Sequence, residues 1–222
     1  LCFSCTYVQM GDIMPVSRRL ELVNYSAAHG SLVIEDDFEN EFVYLQKPTP
    51  SLFGLAGGQN VVYLGTFSRL LLPSIRISFM VLPPELSALY RKKADQYNQT
   101  ASKAEQIALC QFIRDGHLAA QTRKLKRLYS VKLKALRSAV REVFGKDSQI
   151  QTGAAGTSLA LTLSTNLTWQ ELQKKAQTNG LRLQLLREAP GKITLILSCS
   201  SMPVADFVPA CKLLKDISQI QN

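Results

Sequence analysis

The sequence predicts an α/β fold in which a mainly parallel sheet is followed by a smaller unit of strands and helices. Two apolar runs, at residues 31–35 and 61–64, have the length and composition of buried strands. After Gly153 and Gly156 the pattern changes to a strand, a helix, two strands and a helix. The order of elements therefore indicates a large α/β unit, a helical bridge and a smaller α+β unit.

The first predicted helix covers residues 15–29, and Gly30 stands where a C-terminal cap belongs. The strand predicted over residues 31–35 follows it and leads directly into Asp36 and Asp37. Ligands of open α/β sheets bind at the carboxyl ends of the strands. The two aspartates are therefore candidates for a site at this edge.

Residues 43–60 are rich in proline and glycine, which is typical of a loop. The second strand is predicted over residues 61–64, and the loop of residues 65–69 follows it without a gap. A third strand is predicted over residues 76–82, where two consecutive prolines end it.

Three helices are predicted over residues 85–98, 102–115 and 117–144. The third is long enough to bridge two domains. We therefore expect residues 1–115 to form the remainder of a large domain, and residues 116–222 to form the bridging helix and a small domain.

In the second half, Thr168 and Glu171 form a capping-box pattern that opens a helix, and this helix ends at Gly180. The other predicted elements are strands over residues 159–163, 181–185 and 193–197, and a final helix from about Pro203 that is interrupted by Pro209.

The 222 residues are 46% hydrophobic and 19% charged, which indicates a folded globular protein. No apolar run is long enough to span a bilayer, and the first residues lack the pattern of a signal peptide. We expect a soluble, cytoplasmic protein. Since the sequence begins at Leu1, we also expect it to belong to a longer protein.

Five cysteines are present, and Cys2 and Cys5 form a C-x-x-C pair. Such a pair is compatible with a metal or redox site, but neither a second pair nor a nearby histidine completes a zinc site. Reduced, buried thiols are the favoured interpretation.

The formal net charge is +9, from 26 basic and 17 acidic residues. A basic helix can contact nucleic acid, but more often it is a solvated face, and this second interpretation is favoured here. Much of the excess lies on the helix predicted over residues 117–144, in Arg123, Lys124, Lys126, Arg127, Lys132, Lys134, Arg137 and Arg141.

Three blocks of sequence carry the chemistry. They are MPVSRRLEL at residues 14–22, EDDFENEF at residues 35–42 and GTFSRLLLPSIR at residues 65–76. In this order they resemble motifs of the aminotransferase-like domain of MocR-type regulators of the GntR family, within the fold-type-I aminotransferase superfamily. The resemblance runs from about Gly11 to the C-terminus and corresponds to the second half of such a domain. It implies part of the large, mainly parallel-sheet domain plus the smaller C-terminal α+β domain.

The resemblance also implies pyridoxal 5'-phosphate as a cofactor. Asp36 matches the aspartate that pairs with the pyridine nitrogen, so that the ring acts as an electron sink. Thr66 and Arg76 match positions at the cofactor phosphate, for which a hydroxyl and a guanidinium are suited, and Ser68 lies between them as a further candidate contact. Phe38 stands where the family has a tyrosine, and so it lacks the phenol that bonds the cofactor's 3-oxygen.

Arg69 occupies the position of the lysine that forms the Schiff base with the cofactor. A lysine amine can lose its proton and attack an aldehyde, whereas a guanidinium stays protonated. We therefore expect Arg69 to be catalytically inactive. The family's P-T-G motif is replaced by residues 9–11, Gln-Met-Gly, and a carboxylate-binding arginine is not evident around residues 192–198, where Lys192 is the nearest cation.

These departures favour a degenerate domain that senses an effector or mediates dimerisation in a transcriptional regulator. Any cofactor would be bound non-covalently. We expect a homodimer, an amino acid or pyridoxal phosphate as the effector, contact with DNA only through a domain outside this sequence, and no membrane partner. The alternative is an active transaminase that uses another lysine, such as Lys47 or Lys103.

Overall fold

The computed structural model describes residues 2–4, 6–7, 12–37, 49–145, 148–153, 156–200 and 202–218. The chain forms two compact units. Apart from Asp12, which belongs to the second unit, the described residues up to Leu125 form the first unit and those from Lys126 form the second. The assignment of residues 1–115 to a cofactor-binding domain and of residues 116–222 to a bridging helix and small domain stays a prediction.

Six strands are described up to residue 81: β1 Cys2–Ser4, β2 Thr6–Tyr7, β3 Asp12–Ile13, β4 Val33–Asp36, β5 Val61–Thr66 and β6 Ser78–Val81. Four of them form a sheet in the order β1-β4-β5-β6, and β2 pairs with β3 separately. Strands β1, β4 and β5 run parallel, and β6 runs antiparallel to β5. The prediction of an α/β fold with a mainly parallel sheet is confirmed.

Five α-helices are described up to residue 144: α1 Val16–Ala28, α2 Leu52–Leu55, α3 Pro84–Lys93, α4 Lys103–Arg114 and α5 His117–Phe144. Most of α5 belongs to the second unit. The one-turn helix α2 falls within the segment predicted to be a loop. It forms because the Ser51 hydroxyl accepts a hydrogen bond from the Gly54 N–H, and because Leu52 is completely buried. The prediction was wrong at this point, since one turn is too short to show a helical period.

Strand β4 does not have the two buried faces that its apolar run predicted. Val33 and Glu35 are buried, Ile34 is half-buried and Asp36 is exposed. The alternation of side chains along the strand explains this pattern, because consecutive residues point to opposite faces. The core face of β4 therefore ends in a carboxylate.

Glu35 is 1% exposed and joins three segments of the first unit. Its carboxylate accepts hydrogen bonds from the N–H groups of Leu52 (2.9 Å) and Phe53 (3.0 Å), at the start of α2. The buried guanidinium of Arg19 lies 3.7 Å from the same carboxylate and donates to the carbonyl oxygens of Met14 (3.0 Å) and Pro50 (2.8 Å). A buried charge pair with these additional bonds fixes α1 and α2 against β4.

We expect Glu35→Gln to lower the free energy of unfolding by about 3 kcal/mol or more, because it leaves the Arg19 charge buried without its counter-ion. Urea unfolding followed by circular dichroism measures the change. Glu21→Gln is the control, since it breaks the exposed ion pair with Arg18 and should cost less than about 1 kcal/mol. Equal costs for the two variants would contradict the role given to Glu35.

The remaining described elements are β7 Gln149–Thr152, β8 Ser158–Ser164, α6 Trp169–Thr178, β9 Gln184–Ala189, β10 Lys192–Ser198 and α7 Phe207–Ser218. Their strands form the antiparallel sheet of the second unit, in the order β7-β8-β10-β9. Helices α5, α6 and α7 pack with this sheet around a core that includes Val140, Leu161, Leu172 and Phe207.

Two predicted helix signals have different outcomes. The capping box at Thr168 and Glu171 is present, and the hydrogen bonds from Thr168 hold the pKa of the Glu171 carboxyl below its usual range. The predicted interruption at Pro209 was wrong. Pro209 lies in the first turn of α7, where a backbone N–H would have no partner within the helix.

The described cysteines differ in exposure. Cys199 and Cys211 are buried, as predicted, whereas Cys110 is exposed. Burial raises the pKa of the Cys211 thiol to about 11, and the nearby Glu142 carboxylate adds to this rise. Burial also raises the pKa of Cys199, whereas the charge of Lys132 acts in the opposite direction.

The described residues contain no cluster of possible metal ligands. None of the helices described is long and apolar enough to cross a membrane.

Because the thiolate is the reactive form, we expect iodoacetamide at about pH 8 to modify Cys110 at least tenfold faster than Cys199 or Cys211. Peptide mapping over time gives the three rates, and labelling in denaturant provides the unprotected reference. Comparable rates in the folded protein would contradict the burial of Cys199 and Cys211.

Candidate functional site

The carboxyl ends of β4 and β5 lie side by side, because the two strands are parallel neighbours in which Asp36 is paired with Leu64. Asp36 is the last residue of β4 and Thr66 is the last residue of β5. The sheet therefore places the exposed Asp36 carboxylate and the half-buried Thr66 at the same edge.

The loop after β5 is held by hydrogen bonds to its own backbone and to Ile77. The Thr66 hydroxyl accepts from the Ser68 N–H at 3.2 Å and donates to the Ile77 carbonyl at a longer 3.4 Å. The Phe67 N–H donates to the same carbonyl at 3.1 Å. These bonds fix the backbone of residues 66–68, directly before Arg69. Arg69 itself is half-buried.

Arg76 lies at the other end of this loop, directly after a 3₁₀ turn at Pro73–Ile75. Its φ of 49° and ψ of 32° place it in the left-handed region, which non-glycine residues seldom adopt. Its side chain is exposed. Uncommon backbone geometry within a candidate ligand loop is consistent with a functional constraint.

Gly65 begins the loop under the ring of Phe79, its partner across the β5–β6 ladder. A Cβ atom on Gly65 would lie 2.4 Å from the Phe79 ring. The Phe67 ring is 5.2 Å from that of Phe79, centroid to centroid, and the Tyr63 ring is 6.2 Å away. A side chain at position 65 would therefore have to displace the Phe79 ring.

Asp37 was singled out by the sequence only as one of two aspartates at the strand end. In the structure it is 5% exposed, and its carboxylate accepts a hydrogen bond from the Tyr63 hydroxyl. Its N–H donates to the Leu64 carbonyl at 3.0 Å. Asp37 thus fixes the chain immediately after Asp36, a role that a strand pattern alone does not reveal.

Several predicted site features lie outside the described residues, namely Phe38, residues 9–11 and Lys47. Lys103 is described and exposed, and it begins α4. The loop at residues 65–76 contains two arginines and no lysine.

The described groups fit non-covalent retention of pyridoxal phosphate better than a covalent link. An exposed carboxylate at the strand end suits a protonated pyridine nitrogen, and an exposed guanidinium suits a phosphate. The Thr66 hydroxyl already forms two hydrogen bonds within the protein. The Ser68 hydroxyl lies on the same segment, two residues further along the chain. An arginine in place of a lysine provides no amine for a covalent bond to an aldehyde.

Comparison with known proteins gives concordant results in sequence and structure. No protein-family model matches the chain. It is 32% identical over 210 residues to the uncharacterized HTH-type transcriptional regulator YdeL of Bacillus subtilis, covering 93% of this chain and 45% of that protein. It is 30% identical over 183 residues to the probable rhizopine catabolism regulatory protein MocR of Rhizobium meliloti, covering 82% of this chain and 37% of that protein.

Among solved structures, the chain resembles LysN, an alpha-aminoadipate aminotransferase from Thermus thermophilus. The TM-score is 0.77 at 23% identity, over 98% of this chain and 58% of LysN. At this identity the likeness shows the fold alone.

Fold and sequence relatives together place the chain in the fold-type-I superfamily of pyridoxal-phosphate-dependent aminotransferases. Within that superfamily its relatives include HTH-type regulators of the MocR kind, as the three sequence blocks predicted. The chain spans less than half the length of these curated relatives.

The contact between Gly65 and Phe79 predicts a specific double-mutant cycle. Gly65→Ala alone should lower the free energy of unfolding by about 1–3 kcal/mol, because its methyl group would displace the ring. In the Phe79→Ala background the same substitution should cost less than about 0.5 kcal/mol, since the obstacle is gone. Urea unfolding of the four proteins measures the coupling, and additive effects would contradict this packing argument.

Proposed function

We propose that this chain is the aminotransferase-like part of a MocR-type transcriptional regulator and that it binds pyridoxal phosphate, or its adduct with an amino acid, without catalysing transamination. The observation that carries the proposal is the arginine at position 69. When bound, the cofactor supplies an electron sink that stabilises negative charge next to an amino group. Without a lysine amine in the loop, this chain lacks the group that links the cofactor and transfers the proton.

The proposed contacts divide between the two ends of the ligand. Asp36 would hold the proton on the pyridine nitrogen, and Arg76 with the Ser68 hydroxyl would bind the phosphate. The charge on Arg69 would add attraction for the phosphate or for the carboxylate of an amino-acid adduct. Phe38 keeps an aromatic ring at the tyrosine position but cannot donate a hydrogen bond to the 3-oxygen.

The proposed regulator is a cytoplasmic homodimer that reads DNA sequence through a domain outside these residues. The relative YdeL supports this assignment, since it is named an HTH-type regulator and the chain covers only 45% of its length. The LysN match likewise covers 58% of that protein. We propose that further ligand contacts come from outside this chain.

Covalent capture tests the catalytic part of the proposal. The purified chain is incubated with pyridoxal phosphate, reduced with borohydride and analysed by intact mass. We expect no stoichiometric adduct in the wild type and a weak one in Arg69→Lys, because Phe38 still lacks the phenol. Arg76→Lys is the matched control, since it places a lysine in the same loop at another position. A stoichiometric wild-type adduct at one lysine would establish the alternative, an active transaminase.

Equilibrium dialysis tests the binding part. Loss of one charge-assisted hydrogen bond costs about 1.5–3 kcal/mol, so Asp36→Asn and Arg76→Gln should each weaken retention of pyridoxal phosphate about tenfold or more. The exposed Arg182 in the second unit provides the control Arg182→Gln, which should leave retention unchanged. If the wild-type chain retains no ligand, the proposed binding of pyridoxal phosphate by these residues is wrong and a scaffold for dimerisation remains.

A further inference from the structure

Helix α5 carries most of the chain's excess charge. It contains eight basic residues and one acidic residue, Glu142, which gives it a net charge of +7, against +9 for the whole chain. The sequence alone favours a solvated face, because charge runs on helices usually have no further role. In the structure, several of these basic side chains are exposed on one side of α5.

Three of the basic residues form one straight line on the helix surface. Arg127, Lys134 and Arg141 are spaced seven residues apart, so each is displaced from the last by nearly two full turns, or about 10.5 Å along the axis. All three are exposed. We call these three residues the basic stripe. The exposed Arg137 flanks it.

The basic stripe faces away from the core of the second unit. The apolar side of α5, with Leu133, Leu136 and Val140, is buried in that core. Lys132 lies closer to this side and donates to the Ser200 carbonyl at 2.9 Å. The stripe residues therefore belong to the opposite surface of the helix and do not contribute to the core packing.

The charges of the stripe are not neutralised within the described structure. The ion pairs found among the described residues are Arg18–Glu21 and Arg19–Glu35, and neither involves α5. Three aligned cations over about 21 Å of helix form a surface of one sign. Such a surface attracts a polyanion with regularly spaced charges.

We propose that the basic stripe of α5 binds the phosphate backbone of duplex DNA without reading its sequence. The stripe spacing of about 10.5 Å is close to the major-groove width of about 12 Å, so successive residues can reach phosphates on opposite sides of one groove. The choice of DNA as the partner rests on the proposed function, because a transcriptional regulator acts on DNA.

An anionic membrane surface fits the stripe less well. A helix that lies on a membrane needs a broad apolar face free to enter the lipid. The apolar face of α5 is occupied by the core of the second unit, and Leu128 and Val131 are the large apolar residues exposed among the described residues of α5. A contact made by phosphates alone agrees better with this distribution.

Fluorescence anisotropy of the 222-residue chain with a short labelled duplex tests the proposal. With three phosphate contacts, the logarithm of the binding constant should fall with the logarithm of salt concentration with a slope of about −2.7. The variant Arg127→Gln/Lys134→Gln/Arg141→Gln should lose at least about tenfold in affinity at about 50 mM salt, together with most of that slope. The double variant Arg127→Lys/Arg141→Lys should keep both, because the charges remain.

The matched control removes three exposed charges elsewhere in the second unit, in Lys174→Gln/Arg182→Gln/Lys212→Gln. It has the same net charge as the stripe variant and should stay within about twofold of the wild type. Circular dichroism verifies that each variant is folded. Equal losses in both triple variants, no wild-type binding at low salt, or equally tight binding to phosphatidylglycerol vesicles would overturn the proposal. Since the assay contains no pyridoxal phosphate, its outcome is independent of the dialysis result.

Discussion

The buried carboxylate of Glu35 is the constraint on which the site edge depends. It receives two backbone hydrogen bonds from the start of α2 and lies against the guanidinium of Arg19, so three segments distant in sequence converge on one side chain. Such a group is costly to desolvate and is tolerated only when its lone pairs are occupied. Once it is fixed, β4 can adopt only one register, and Asp36 must point to the opposite face.

The three consecutive acidic residues therefore have three environments. Glu35 is buried with Arg19, Asp36 is exposed at the strand end, and Asp37 is buried with the Tyr63 hydroxyl. The first and last fix the backbone, and the middle one remains available to a ligand. The residues that stabilise this edge of the sheet are therefore different from the residue that is exposed at it.

The sequence predicted elements with a clear period or a cap, including α5 with its observed bounds and the capping box at Thr168. It missed α2, whose single turn depends on Ser51 and on the distant Glu35, and it placed β9 too early. Leu181 and Leu183 pack against the core of the second unit before the ladder starts at Gln184. Motif matching proposed Asp36, Thr66 and Arg76 as ligand-binding residues, which stays a prediction, and no local pattern identifies which of the three adjacent acids is buried. That choice follows from Arg19, whose position relative to β4 is set by tertiary packing.

The alternation within β4 also limits how this segment can evolve. A strand turns each successive side chain to the other face, so one inserted or deleted residue before Asp36 would bring its carboxylate into the core and move Glu35 to the solvent. A substitution of the solvent-facing Asp36 leaves Glu35 in the core, whereas a change of length would remove Glu35 from Arg19 and from the start of α2. Divergence at this edge is therefore confined to replacing side chains at a fixed spacing.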